Sequence, residues 1–394
     1  MTYSLGIVQS HVTQFDGPLF RKLASRSDIN LTVYFTRSDG HQTSFDPELN
    51  HKSGWDRDIK SGFVYHSFPS IVYRRIQMCQ QIASAGHDLV IVAGYSNVWL
   101  LLIAILSNFY RTPIGLRADS VLLYRTQTTW KWRLKDIILP KLYRLYTTMH
   151  PVGTLARDTM RHYGFRDDAI FFFPYTVDSS YLQNEFATIA PQRKSLREAI
   201  GIKPNDKVIL GVLKFIPRED PLTLVYAYTK IAHTFPNTHL ILVGSGELQS
   251  KMEHYIVEHH LEDRIHLPGY VPYSHLPRYF AMADVLVHPA KVEPWGVTVN
   301  EAMVCGLPVI AADTVGSAYD LVQNKNTGFM FESGNPESLA KRLSQFLGDS
   351  SLHESMRKGS TTTALKWSYD MTVDQILQAL KYVESRTKAR AVNE

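Results

Sequence analysis

The chain has 394 residues, 44% of them hydrophobic and 20% charged, a balance that excludes disordered and fibrous classes. Its length exceeds what a single core serves, so two domains are expected. A net charge of +5 fits anionic ligands or an anionic membrane surface and is too mild for a nucleic-acid binder. Two cysteines, Cys79 and Cys305, exclude a disulfide scaffold and point to a reducing cytoplasm. The opening stretch lacks the basic-then-apolar order of a secretory signal. The longest apolar run, 98–106, is too short for a bilayer that needs roughly 20 residues.

In chain order, the first half offers apolar runs at 5–8, 31–35, 63–65, 89–93, 113–116 and 170–173. The second half offers 208–213, 240–243, 265–267, 285–287, 309–312 and 329–331. These runs of Val, Ile, Leu and Phe lack polar alternation, as strands buried on both faces of a parallel sheet do. Their spacing leaves room for a crossover helix each time. The periodicity breaks after Asp178, which places a linker near 179–190. The tail from Thr361 reads as one helix. The expected division is therefore 1–180, 190–365 and a C-terminal helix, 366–394, packing back on the first domain.

Four segments carry chemistry. The stretch 288–312 reads strand, loop, helix, strand, with Pro294 and Gly296 at the helix entry and Gly306 at its end. Glu293 and Glu301 lie eight residues apart, roughly 12 Å of rise if both were helical. That separation is too long for two carboxylates sharing a proton and suits two groups of one elongated ligand. Backbone N–H groups of Trp295, Gly296 and Val297 at the helix start favour an anionic or hydroxyl-rich ligand. The second segment, 211–221, sets Lys214, Arg218 and Glu219 between a buried strand and a helix. The third, Gly244-Ser245-Gly246, follows another strand but ends on Gln249, so a dinucleotide fingerprint fails. The fourth runs from Gly269 through Tyr270 and Val271 to Pro272.

Together these segments resemble the retaining glycosyltransferases of family 4, most specifically over 208–328. The resemblance implies an α/β GT-B fold: two Rossmann-like βαβ domains facing across a cleft, acceptor on the first, nucleotide sugar on the second. It implies that Glu301 binds the donor ribose and that Glu293 lies beside the transferred sugar. The backbone of Trp295, Gly296 and Val297 would face the diphosphate and sugar, with Gly244, Gly246, Tyr270 and Val271 around the nucleotide. In that family two cations five positions apart grip the diphosphate. Lys214 fits the first position. Glu219 occupies the second, and Arg218 is expected to substitute. Val315-Gly316-Ser317 is expected to close on the donor.

In the first half, Arg117 and Asp119 resemble a family position near the transferred sugar. A surface ion pair is the equally simple reading. His11 and Gly17 follow the first strand and fall on the acceptor side, as does His150, which reads equally well as a core histidine. The resemblance implies sugar transfer from a nucleoside-diphosphate sugar of UDP or GDP with retention, no protein nucleophile and no metal cofactor. Histidine spacing offers no metal site. A non-catalytic partner subunit, an epimerase, a phosphorylase and an NAD dehydrogenase are the weighed alternatives. From Arg111 to His150 eight cations face two acids, interleaved with Trp130, Trp132, Tyr143 and Tyr146. That composition suits an anionic membrane surface or a packed helix with a solvated basic face. The expected location is cytoplasmic, peripheral on the inner membrane face.

Overall fold

The computed structural model describes residues 2–37, 44–46, 48, 51–53, 57–124, 130–322 and 326–393. The chain forms two units. One takes Met1–Gln42, Arg57–Thr176 and Tyr369–Glu394, and the other takes Thr43–Asp56 and Val177–Ser368.

The first unit's sheet uses β1 (Tyr3–Gln9), β2 (Ile29–Phe35), β5 (Val64–Ser67), β6 (Leu89–Ala93), β7 (Ile114–Ala118) and β8 (Thr148–Pro151). Its order is β5-β2-β1-β6-β7-β8, with every pair parallel. Between β2 and β5 come β3 (Ser44–Asp46) and β4 (His51–Ser53), an antiparallel pair belonging to the second unit. The second unit's sheet uses β9 (Lys207–Val212), β10 (Thr238–Val243), β11 (Ile265–Gly269), β12 (Val285–His288), β13 (Val309–Ala312) and β14 (Gly328–Phe331). It repeats the same parallel order, β11-β10-β9-β12-β13-β14. β10, β12 and β13 are buried along their whole length, which is why their sequences are unbroken apolar runs. This doubly wound order reverses direction beside the first strand of each unit, so loops after the strands gather at one edge.

Several expectations are corrected. The segment 179–190 is not a linker: Ser179–Ile189 is a helix whose first turn is capped by Asp178, Oδ1 accepting from the Tyr181 N–H at 3.1 Å. Leu182 is fully buried beneath it. The stretch 170–173 does not join the ladder as a strand. It runs extended beside β8 with a single bridge, Met149 to Ile170. The tail forms two helices, Ser350–Lys366 and Tyr369–Asn393, parted at Trp367 and Ser368.

One buried cation ties the second unit together at the start of its strands. Arg197 is 2% exposed and donates to the carbonyls of Met282, Pro204 and Asp206 and to Asp284 Oδ2 at 2.6–2.9 Å. Asp284 in turn accepts from Arg193 and from the Val208 N–H. Removing the guanidinium strands three carbonyls and leaves Asp284 with Arg193 as its one close arginine. Arg197→Ala is expected to cost about 3–5 kcal/mol, read as a lower urea midpoint for this unit at unchanged slope.

Candidate donor site

The site lies at the C-terminal edge of the second sheet. After β12 the chain turns through Glu293, Pro294, Trp295 and Gly296 into the helix Val297–Val304. After β13 it turns through Val315, Gly316 and Ser317. The two turns clasp each other: Gly316 N–H donates to Glu293 O at 2.8 Å and Ser317 N–H to Trp295 O at 2.9 Å. A Cβ on residue 316 would sit 1.9 Å from the Pro294 carbonyl oxygen, so only glycine fits. Val315-Gly316-Ser317 thus hold the neighbouring turn in place.

Gly296 caps the helix at φ +89°, with Val315, His288 and Glu293 crowding the place of a side chain. Trp295 is a core residue, 1% exposed, its Nε1 donating to Asn300 Oδ1 at 3.0 Å and its ring against Trp367. The Trp295 N–H is not free. It donates to Glu293 Oε1 at 3.3 Å. The N–H groups of Gly296 and Val297 make no hydrogen bond among the described residues. Glu293 precedes the helix, so the helical rise does not set its distance from Glu301.

Glu301 is 3% exposed and has no side-chain partner among the described residues. Burial alone pushes its carboxyl up to about 7. His288, at the end of β12, is 4% exposed with both ring nitrogens unpartnered, and burial lowers its pKa. Its sequence position at a strand end, before Pro289, was the only signal of its place.

Charge collects beside Glu293. Arg218 Nη1 lies 3.6 Å from Glu293 Oε2, and Nη2 lies 3.1 Å from Glu219 Oε1. Glu219 Oε2 also accepts from the Lys214 N–H at 2.6 Å. Burial pushes Glu219 up to about 6, against the pull of that N–H and of Arg218. Lys214 Nζ meets Glu48 Oε2 at 2.6 Å, a partner 166 positions away that sequence reading missed. Gly244 and Gly246 hold φ of +147° and +152°, and a Cβ on Gly244 would meet the Leu213 carbonyl oxygen at 1.8 Å. Gly244 N–H donates to Gly269 O, which brings half-buried Tyr270 and Val271 to the same edge. The structure thus gathers Lys214, Arg218, Glu219, Gly244, Glu293 and Gly296 on loops of one sheet edge.

The first unit uses its candidates differently. Arg117 is 5% exposed, paired to Asp16 Oδ1 at 3.2 Å and bonded to the carbonyls of Phe173 and Pro174. Its guanidinium lies over the rings of Phe173 and Tyr175. It is a buried strap rather than an exposed surface pair. Asp119 accepts from the Tyr175 hydroxyl at 3.1 Å. His150 is fully buried, its Nε2 2.9 Å from Thr148 Oγ1, and burial lowers its pKa to about 3. It is a core histidine. His11 is half-buried beside Ser10, and Gly17 opens the helix Asp16–Ala24, pressed against the Ile59 carbonyl.

Residues 192–363 match the family described as Glycosyl transferases group 1. The N-acetyl-alpha-D-glucosaminyl L-malate synthase of Bacillus anthracis is 25% identical over 56% of this chain and 52% of its own. The chain thus spans about half the length of that relative. A GDP-mannose-dependent monoacylated alpha-(1-6)-phosphatidylinositol monomannoside mannosyltransferase of Corynebacterium glutamicum is 26% identical over 72% of this chain and 76% of its own. The crystal structure of Anabaena Alr3699/HepE in complex with UDP superposes with a TM-score of 0.72 at 17% identity, covering 97% of this chain and 100% of that one. Residues 192–363 belong to the glycosyl transferases group 1 family, and the chain has the GT-B fold.

The buried Glu301 makes a signed prediction. Its folded pKa stands above the unfolded value of 4.5, so the folded state holds the extra proton between there and about 7. Its contribution to stability is full below 4.5 and is lost as pH rises to about 7. Buried Glu219 adds the same sign, while His288 acts oppositely below 6.5. Comparing Glu301→Gln with wild type isolates the contribution of this one carboxyl. The variant should gain on the order of 3 kcal/mol relative to wild type from pH 4.5 to pH 8 in urea titrations, and an unchanged difference would exclude it.

Proposed function

We propose that the protein is a retaining glycosyltransferase that moves a sugar from a UDP- or GDP-sugar to an acceptor hydroxyl in glycolipid, polysaccharide or glycoconjugate synthesis. The observation that carries this reading is the grouping of Lys214, Arg218 and Glu293 beside unbonded helix N–H groups, with a buried, unpartnered carboxyl at Glu301 four residues into the helix. In this reading the diphosphate takes the Gly296 and Val297 N–H groups and the two cations. The ribose hydroxyls give Glu301 its missing partners. Glu293, steadied by Arg218 and the Trp295 N–H, orients the sugar. The leaving phosphate draws the acceptor proton on the same face, so neither a protein nucleophile nor a metal is required of the protein.

Both relatives named above support transfer to an acceptor, the second one to a lipid. The membrane reading concerns the helix Trp130–Tyr143 and its surroundings. Trp130, Ile137, Ile138 and nearby Phe109 are 70%, 60%, 48% and 77% exposed. Tyr143 and Tyr146 are core residues and Arg117 is the buried strap, so they leave that surface. Arg125 lies outside the described residues. No helix among the described residues is long and apolar enough to cross a membrane. We propose that this face rests on anionic lipid. Liposome co-sedimentation should rise with anionic lipid and fall with salt, and binding indifferent to both would remove the idea.

Glu219 is the feature that favours a non-catalytic partner subunit. Turnover decides between the readings. Glu301→Ala should weaken UDP or GDP binding by removing bonds worth roughly 1.5–3 kcal/mol each. Lys214→Ala should lower kcat by about 10²-fold or more, since charge grows on the leaving oxygens. Arg218→Ala should do the same where Arg218 stands in for the cation that Glu219 replaces, and the double variant should be far from additive. Normal turnover by Arg218→Ala beside a dead Lys214→Ala would show a one-cation enzyme. Wild type without nucleotide-sugar hydrolysis or transfer, though nucleotide binds, would favour the partner subunit.

A further inference from the structure

The first unit holds a cavity of about 1100 Å³ at the opposite end of its sheet from Asp119. The turns leading into β7 and β8 and one side of the helix Tyr369–Asn393 wall it. Four arginines line it, Arg111, Arg144, Arg166 and Arg386, with no carboxylate among the described lining residues. Arg166 is held by Asp168, its Nε 2.9 Å from Oδ1, and Arg386 donates to the Tyr382 hydroxyl at 2.7 Å. Arg111 and Arg144 have no ion pair or side-chain hydrogen bond among the described residues. Arg111 also holds φ +59°, a left-handed conformation that glycine adopts freely.

Three hydroxyls in the same wall lack partners: Ser107 Oγ, Tyr143 Oη and Tyr146 Oη, on side chains 0%, 2% and 5% exposed. Buried hydroxyls are nearly always bonded; these three are covered, so an acceptor in the cavity reaches them only when a side chain moves. Burial raises both tyrosine hydroxyls, Tyr146 to about 12, so they stay O–H donors at neutral pH. The wall therefore offers donors and the positive charge of Arg111 and Arg144, while Asp168 offsets Arg166 and Asp136 accepts from the Tyr163 hydroxyl at 3.0 Å. Guanidinium forks each take two oxygens of one anion, which suits a phosphate dianion between two of them. Tyr143, Tyr146, Tyr163 and Phe165 give the interior an aromatic lining.

We propose that this cavity binds a small phosphate monoester with an aromatic, acceptor-bearing body. The phosphate lies across Arg111 and Arg144 at the rim. The body enters between the aromatic rings, which shift on binding to bring their covered hydroxyls to its acceptor group. The site is separate from the donor site and assigns the first unit a second ligand.

The test uses the full chain and three probes in calorimetry: 4-nitrophenyl phosphate, phenyl phosphate and inorganic phosphate. Affinity should fall in that order, as the acceptor group and then the ring are removed. Arg111→Gln with Arg144→Gln should lose about tenfold or more for 4-nitrophenyl phosphate while far-UV circular dichroism stays that of wild type. Tyr143→Phe with Tyr146→Phe should erase the preference for the nitro compound over phenyl phosphate. Arg111→Gly should lose affinity yet raise the melting temperature, because the guanidinium is kept there against the backbone. Phosphatidate vesicles that displace the probe identify a lipid headgroup as the phosphate's source, and vesicles that leave it bound identify a free solute. Inorganic phosphate binding as tightly as 4-nitrophenyl phosphate, full affinity in the arginine double variant, or no saturable binding of any probe would each overturn the proposal.

Discussion

Everything at the candidate donor edge depends on how closely two turns pass. The Pro294 carbonyl occupies the space that a side chain on residue 316 would need, and Glu293 bridges to Val315 as an isolated β pair. Because that contact is backbone against backbone, it cannot relax by turning a side chain. It fixes where Glu293 leaves the turn, and it forces Gly296 into a left-handed cap from which the helix to Glu301 starts. A larger residue at 316 would therefore displace the carboxylate, the helix N-terminus and the buried acid together.

On this fixed frame the charges are arranged as exchangeable pairs. Lys214 rests on Glu48, and Arg218 rests on Glu219 and Glu293. Arg218 and Glu48 are well exposed, so these pairs are screened and each contributes little stability by itself. An anion arriving at this edge would compete with exposed Glu48 for Lys214 and with both Glu219 and Glu293 for Arg218. Glu219 differs. It is buried, and its two oxygens are spent on the Lys214 backbone and on Arg218, so it shapes the loop and holds the guanidinium toward Glu293. An acid at this position thus works through its neighbour.

The fold was legible because buried parallel strands leave unbroken apolar runs, and eleven of the twelve expected runs became sheet strands. The one that did not, 170–173, lies along the edge strand β8, its Phe171 and Phe173 N–H groups bonded to the Met149 and Pro151 carbonyls, and forms one bridge rather than a ladder. The helix Ser179–Ile189 was missed because its start is written in a cap, Asp178, and in only one buried residue, Leu182, rather than in a full apolar stripe. At the site, Glu293, Glu301 and Lys214 were legible from motif and chemistry. Glu48, Asp16 and the orphaned His288 were not, because their meaning lies in partners 166 and 101 residues away or in partners that are missing.

The two units share a strand order and still spend their basic residues in opposite ways. In the first, the arginine near the end of β7 is sunk against Asp16, two carbonyls and two aromatic rings, so its charge is consumed in joining Phe173 and Pro174 to the sheet. In the second, the cation beyond β9 stays near the surface, leaning on a carboxylate it can exchange. A buried guanidinium with each of its three nitrogens bonded cannot turn to a new anion without leaving Asp16 uncompensated in the interior, a loss of several kcal/mol. A half-exposed ammonium faces no such barrier. Identical topology therefore yields a rigid strap on one sheet edge and an anion-ready edge on the other, and the difference is set by burial of the partner rather than by the presence of the cation.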